Sequence, residues 1–241
     1  MEQQIIPIQE YKLKIIEIID EAPDTKTFRV DIPEGTEIDF FPGQFFMVRF
    51  DGNPAVQRAY TIASSPEQKN YMDITMNLVA EFTKKLWQSR VDDYLIFKGP
   101  YGKFYFDDTM KENLVLIGGG LGITPLMSII RYCNDKHLQN KVNLIYSVRT
   151  PGHIVYLDEL KKIKEQNPNF KYDVTITRPT EEHNWQGRTG RIDRDMLKQN
   201  IENVENSLFY LCGPLEFAKV KIEMLENLGA KKEHIKTDIW G

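Results

Sequence analysis

Four short stretches of this 241-residue chain carry residue types and spacings suited to chemistry. In the first, an apolar run, Leu114-Val115-Leu116-Ile117, ends in Gly118-Gly119-Gly120-Leu121-Gly122-Ile123-Thr124-Pro125. Strand, glycine turn and helix N-terminus together make an anion cradle, because glycine lets backbone N–H groups approach a phosphate and the helix dipole favours negative charge. Thr124 suits the helix cap and Pro125 the first helical position. The spacing is neither G-x-G-x-x-G nor a P-loop, since no Lys-Ser/Thr pair follows. It reads as a site for a dinucleotide or phosphate ester, and a glycine turn made only for packing satisfies the same pattern.

The second stretch is Tyr146-Ser147-Val148-Arg149-Thr150, at the end of another apolar strand. Sites for NAD often place a carboxylate there for the ribose 2′-OH. A hydroxyl (Ser147) and a guanidinium (Arg149) suit a 2′-phosphate instead, with Arg178 after the next strand able to help. That favours NADPH over NADH, unless Arg149 is simply a solvated loop residue. In the third stretch, Cys212-Gly213-Pro214, a thiol at a strand's carboxyl end can face a cofactor ring or be a small buried side chain. In the fourth, Arg58-Ala59-Tyr60-Thr61, strand alternation puts Arg58 and Tyr60 on one face. The guanidinium suits a phosphate and the ring a flat heterocycle, with Thr61 as a short donor beside it. Ordinary cross-strand packing also uses such pairs.

The elements that must position these residues fall into two groups. Up to Asp108 the chain reads as about six short strands: Tyr11 to Ile19 (Leu13, Ile15, Ile18 and Ile19 apolar), Thr25 to Asp31, Phe45 to Phe50, Arg58 to Ala63, Tyr71 to Val79 and Tyr94 to Lys98. Met72, Ile74, Met76 and Leu78 share one face of the fifth, and a short helix falls near Thr83 to Gln88. This is the pattern of a small antiparallel barrel. From Thr109 strands alternate with helices: Leu114–Ile117, a helix through Met127, Ile130 and Arg131, Val142 to Ser147, a helix over Tyr156 to Gln166, Tyr172 to Thr177, a helix over Asp193 to Lys198, Leu208 to Cys212, a helix over Phe217 to Leu228, and Ile235 to Trp240. Alternation of this kind predicts an open parallel sheet of the Rossmann type, with ligands outside the strands' carboxyl ends. The expected domains are therefore 1–108, an antiparallel β-barrel, and 109–241, an α/β domain.

Composition removes other classes. Apolar content of 41% and charged content of 27% are those of a globular protein. No apolar run approaches the roughly 18 residues of a membrane span, and Met1-Glu2-Gln3-Gln4 does not begin a secretory signal, so a cytoplasmic location is expected. Two cysteines, Cys133 and Cys212, provide neither a disulfide framework nor a four-thiolate cluster. His137, His153, His183 and His234 are scattered, so no metal site is expected. A net charge of −4 argues against nucleic-acid binding. It divides as 12 basic against 18 acidic residues (−6) up to Asp108 and 19 against 17 (+2) after it, a weak pointer to a phosphorylated ligand in the back half.

Taken in order, Arg58-Ala59-Tyr60-Thr61, Gly99-Pro100-Tyr101-Gly102-Lys103-Phe104, Gly118 to Pro125 and Cys212-Gly213-Pro214 resemble the motifs of the ferredoxin–NADP reductase superfamily, over about Tyr11 to Trp240. The resemblance implies a flavin on the barrel, NADPH or NADH on the α/β domain, and hydride transfer at the domain cleft. It gives Arg58 to the flavin phosphate, Tyr60 with Ala59 to the isoalloxazine, and Thr61 to the neighbourhood of flavin N5. Thr124 and Cys212, with Gly213 and Pro214, would flank the nicotinamide, and Gly119, Gly120 and Gly122 would cradle its pyrophosphate. Thr61 and Cys212 are thus the expected catalytic pair. Phe82 and Thr83 fall where relatives meet the FAD diphosphate, although the usual glycine is missing and Glu81 adds a negative charge that Lys84 or Lys85 can offset. FAD is expected, with FMN open. Trp240 matches a C-terminal aromatic that relatives stack on the flavin, and it equally suits an apolar anchor.

The implied activity is an NAD(P)H-dependent flavoprotein reductase that hands electrons to a separate redox protein, such as a ferredoxin, a flavodoxin or an oxygenase component. The alternatives are a reductase that releases reduced free flavin and a non-catalytic flavin-binding subunit. Any iron–sulfur partner is expected on another chain.

Overall fold

The computed structural model describes residues 6–240, which form two compact units. The first comprises the residues up to Asp107 together with Met127–Lys136; the second comprises Asp108–Leu126 and the residues from His137 onward. A single cut after Asp108 therefore does not describe the packing, because part of one helix belongs with the first unit.

In the first unit, β1 (Gln9–Ala22), β2 (Thr25–Asp31), β3 (Phe45–Phe50), β4 (Gln57–Thr61), β5 (Tyr71–Asn77) and β6 (Tyr94–Tyr101) form an antiparallel sheet in the order β4-β3-β6-β1-β2-β5. Its outer strands meet at an Ile62–Ile74 bridge, which closes the sheet into a barrel. The long β1 serves two neighbours: Gln9 to Lys14 pair with β6, and Ile15 to Ala22 with β2. A register shift between Ile15 and Glu17 turns the strand from one to the other. That bulge explains why Leu13 and Ile15 are buried whereas Ile16 is exposed and Ile18 only partly covered. Alternate residues fill the barrel: Phe28 faces Ile74, Val30 faces Ile15 and Met72, and Val48 faces Phe97. Each such side chain contributes about 1.5–3 kcal/mol by burial.

On β5, Met72, Ile74 and Met76 face inward as expected, but Leu78 lies beyond the strand and is exposed. The opposite face is buried too. Asp73 there is gripped by Arg29 through two bonds (2.9 and 3.1 Å), and Thr75 meets Thr27 at 2.6 Å. The short helix α1 (Glu81–Trp87) begins two residues earlier than Thr83.

In the second unit, β7 (Asn113–Gly119) runs through a 3-10 turn (Gly120–Gly122) into α2 (Ile123–Asp135). There follow β8 (Val142–Val148), α3 (Leu157–Gln166), β9 (Phe170–Ile176), the short β10 (Arg188–Thr189), α4 (Arg194–Asn200), β11 (Ser207–Pro214), α5 (Leu215–Asn227) and β12 (Ile235–Trp240). The sheet is wholly parallel, in the order β10-β9-β8-β7-β11-β12. From β7 the chain winds outward to β10, then returns to place β11 on the other side of β7. The strand order thus reverses between β7 and β11, the position where open α/β sheets leave a crevice for ligands. Burial on both faces explains the nearly unbroken apolar runs of β7, β8 and β11.

Candidate nucleotide sites

In the first unit, β4 pairs Tyr60 with Phe46, Ala59 with Met47, Arg58 with Val48 and Thr61 with Phe45. Arg58 is exposed, and its Nη1 donates to the Gln57 carbonyl (2.9 Å). Tyr60 is half-buried, with its ring 6.0 Å from that of Phe82. Burial pushes the Tyr60 phenol up to about 12, with Arg58 pulling slightly the other way, so the hydroxyl is a neutral donor at physiological pH. Phe82 is itself buried and packs on Phe50 at 5.0 Å. It supports the Tyr60 ring from within the core and offers no exposed surface of its own.

The Thr83 hydroxyl is committed to its own helix. It accepts from the N–H groups of Val79 (3.1 Å) and Ala80 (3.0 Å) and donates to the Ala80 carbonyl (2.8 Å). Ala80 at the cap position cannot do this, so a residue inside the first turn closes the helix start. Lys84 pairs with Glu81 at 2.6 Å, and Lys85 lies over the Phe50 ring.

In the second unit the glycines divide by role. A Cβ on Gly119 would press on the Phe217 ring at 3.1 Å, and one on Gly122 would collide with the Cys212 carbonyl oxygen. Gly120 has φ +54 and open space beyond it. Close packing between β7, β11 and the start of α2 thus accounts for two of the three, and Gly120 alone faces free volume. Thr124 is not the helix cap. The 3-10 turn runs directly into α2, which moves the helix start ahead of Thr124, and its Oγ1 donates back to the Leu121 carbonyl (2.9 Å). Pro125 falls within the first turn, where its missing N–H has no intrahelical partner to lose.

Across the sheet, Gly119 pairs with Ser147 and Ser147 with Thr175. Beyond these strand ends the Arg178 N–H donates to the Arg149 carbonyl (2.8 Å), so the two arginines stand on adjoining segments and both side chains are exposed. On the other side of β7, Cys212 pairs with Gly118 and Asp238, Gly213 with Ile239, and Pro214 with Trp240. Pro214 is exposed and occupies the cap position of α5; Gly213 packs under Phe217. Trp240 is partly exposed. Cys212 is buried, with its Sγ donating to Asp238 Oδ2 at 3.8 Å. Burial first, then the Asp238 charge, raises the thiol well above its ordinary value, and burial raises the Asp238 carboxyl as well. The strand end therefore presents a neutral thiol rather than a thiolate.

Sequence reasoning missed three features. Asp238 is fixed beside Cys212 only by the β11–β12 register. Phe217 caps two glycines, and the small residues at positions 119 and 213 were its only signal. The Trp185 turn, in which Trp185 Nε1 donates to the Arg188 carbonyl (2.8 Å), leads into β10. Its signal was the spacing of Trp185, Gly187 and Gly190.

The family of oxidoreductase FAD-binding domains matches residues 12–106, and that of oxidoreductase NAD-binding domains matches residues 116–221. The chain belongs to the ferredoxin–NADP reductase superfamily. Within that superfamily it is similar to one component of the Na(+)-translocating NADH-quinone reductase of Actinobacillus succinogenes, with 25% identity across 99% of this chain and 69% of that protein. Its fold is similar to that of a cytochrome P450 reductase from Amycolatopsis (TM-score 0.85, 20% identity, 98% of this chain and 71% of that one). It is also similar in fold to a ferredoxin NADP+ reductase from Neisseria gonorrhoeae solved with FAD and NADP (TM-score 0.80, 22% identity, 95% and 98%). The chain is thus a reductase with a domain for FAD and a domain for a nicotinamide nucleotide. The residues present fit both groups: an exposed guanidinium and a supported aromatic face on β4, and an open glycine at the reversal of strand order. No described helix is long and apolar enough to cross a membrane.

Proposed function

We propose that this chain takes electrons from a reduced nicotinamide nucleotide onto FAD and delivers them to a separate redox protein. The observation that carries this reading is the presence of two distinct nucleotide sites on one chain, one on β4 and one at the β7–β11 reversal. The flavin supplies the step that accepts a hydride and releases electrons singly. In this reading Arg58 neutralises the flavin phosphate, and Tyr60, kept neutral by burial, packs on the ring and donates from its hydroxyl. Thr61 stands beside flavin N5. Gly120 admits the pyrophosphate of the second nucleotide, and Thr124, Cys212, Gly213 and Pro214 border its nicotinamide. Cys212 acts there as a compact neutral wall that excludes water. Trp240, the strand partner of Pro214, covers a ring until nucleotide displaces it.

Arg149 and Arg178 support NADPH as donor, because two guanidinium side chains issue from adjoining strand ends and residues 147–150 contain no carboxylate. The similar quinone reductase component is named for NADH, so the two nucleotides must be compared directly. The acceptor is proposed to be a protein. That quinone reductase component is named as one part of a larger reductase, and the two similar folds are named as reductases of cytochrome P450 and of ferredoxin.

The test is anaerobic mixing of FAD-loaded protein with NADPH or NADH while the flavin absorbance is followed. Rapid bleaching is expected. FAD-loaded protein that neither nucleotide bleaches would overturn the reading in favour of a non-catalytic flavin carrier, and flavin that separates from the chain on gel filtration would favour a free-flavin reductase.

A further inference from the structure

We propose that Ser128 and Arg131 on α2 are positioning residues for Thr61, and that through them occupancy of the nucleotide cradle adjusts the flavin's surroundings. This rests on the proposed function, in which Thr61 lies beside the flavin.

After Thr61 the chain turns sharply through Ile62-Ala63-Ser64-Ser65-Pro66, all buried. A buried turn must pair every backbone polar group. On one side, Ile62 N donates to the Gln44 carbonyl (3.1 Å), Ala63 N to the Asp73 carbonyl (2.8 Å) and Asp73 N to Ser64 Oγ (3.1 Å). The carbonyls of Ala63 and Ser64 point the other way, and both are met by α2. Arg131 Nη1 donates to Ala63 O at 2.7 Å, and Ser128 Oγ donates to Ser64 O at 2.9 Å. Ser128 is fully buried, and Arg131 is further anchored 3.9 Å from Asp73, which Arg29 already holds. The two donors are three residues apart, so they share one face of the helix and reach consecutive carbonyls.

The same helix begins at the glycine cradle. Gly120–Gly122 coil directly into Ile123, with no break between the segment offered to a pyrophosphate and the turn that carries Ser128. Ile123 to Leu126 belong to the second unit, and Met127 to Asp135 to the first. A hydrogen-bonded helix transmits a small rotation or shift of its first turn to residues one and two turns on. A ligand that settles against the first turn therefore acts on the carbonyls that fix the residues following Thr61. Coupling of this kind is reciprocal: a flavin that prefers one setting of Thr61 alters affinity for the nucleotide by the same factor.

Residues 128 and 131 lie outside both proposed ligand sites, so their loss spares the contacts themselves. The experiment uses FAD-loaded wild type, Ser128→Ala, Arg131→Met and the conservative Arg131→Lys. Each is titrated with oxidised nucleotide while the flavin difference spectrum is recorded, then reduced anaerobically at saturating NADPH and NADH. The wild type is expected to show a nucleotide-induced spectral shift. Ser128→Ala and Arg131→Met should lose most of that shift while retaining FAD. They should also be reduced about tenfold more slowly at saturation, the factor set by loss of one buried hydrogen bond. Arg131→Lys should recover part of both, because it keeps a donor on the same face. Wild-type spectra and rates in all three variants would overturn the inference while leaving the proposed function intact. A wild-type flavin that no nucleotide reduces would overturn the proposed function instead.

Discussion

Gly122 lies against the backbone of Cys212 so closely that no side chain fits between them. The start of α2 and the end of β11 are thereby locked together at the reversal of strand order. Gly122→Ala should destabilise the protein by about 2–3 kcal/mol, because the obstacle is a backbone carbonyl that cannot rotate away. Gly120→Ala meets no atom and should cost only about 1 kcal/mol for its left-handed backbone. Its effect should appear instead as weakened nucleotide binding. Thermal unfolding and nucleotide titration of the two variants separate the packing glycine from the binding one.

Arg149→Ala and Arg178→Ala should lower the efficiency of flavin reduction by NADPH about tenfold each and leave NADH within twofold, since a charge-assisted contact to a 2′-phosphate amounts to roughly 1.5 kcal/mol. Stopped-flow reduction with both nucleotides measures this. Equal losses with both would mean that neither arginine reads a 2′-phosphate.

Burial holds the Cys133 thiol at about 12 and raises that of Cys212 well above its ordinary value. Neither should react with an aromatic disulfide reagent at pH 8 in the folded protein, and both should react at once in guanidinium. Fast titration of either thiol under native conditions would contradict its burial.

Lys221 is nearly inaccessible on α5, its ammonium 5.4 Å from the centre of the Phe217 ring. Burial, then nearby Arg191, lowers its ionisation from the ordinary value of 10.5, with Asp193 opposing. The unfolded chain therefore binds the proton more tightly, so this residue costs stability at neutral pH, and the cost fades as pH rises toward 10.5. Lys221→Met should stabilise the protein by about 1 kcal/mol around neutral pH and by progressively less as the solution turns alkaline. Unfolding midpoints of both proteins across that range supply the check.

Much of this architecture was legible in the sequence because its periods are clean. β2, β3 and β12 occupy the spans that alternation and turn residues marked, and the change to helix–strand alternation after Asp108 marked the parallel sheet. What escaped depended on long-range contacts. The bulge after Ile15 shifts the phase of β1, and no local signal announces it. Thr124 has the chemistry of a helix cap, yet the glycines ahead of it coil as a 3-10 turn and take it inside the helix. The glycine run was legible as a cradle, but its division into packing and open positions depended on Phe217 and Cys212, far along the chain. Arg149 and Arg178 were recognised separately, and their adjacency follows from the meeting of the β8 and β9 ends.

The allocation of α2 bears on how such reductases can be recombined. A chimera that joined residues 1–108 to a foreign nucleotide domain would leave behind Met127–Lys136, and with them the donors to Ala63 and Ser64 and the Tyr132 ring that packs edge-on to Phe106. The transferable flavin module is thus discontinuous in sequence. Swapping the donor specificity of this chain requires grafting around the helix, through the loops at Arg149 and Arg178, rather than exchanging everything after the barrel.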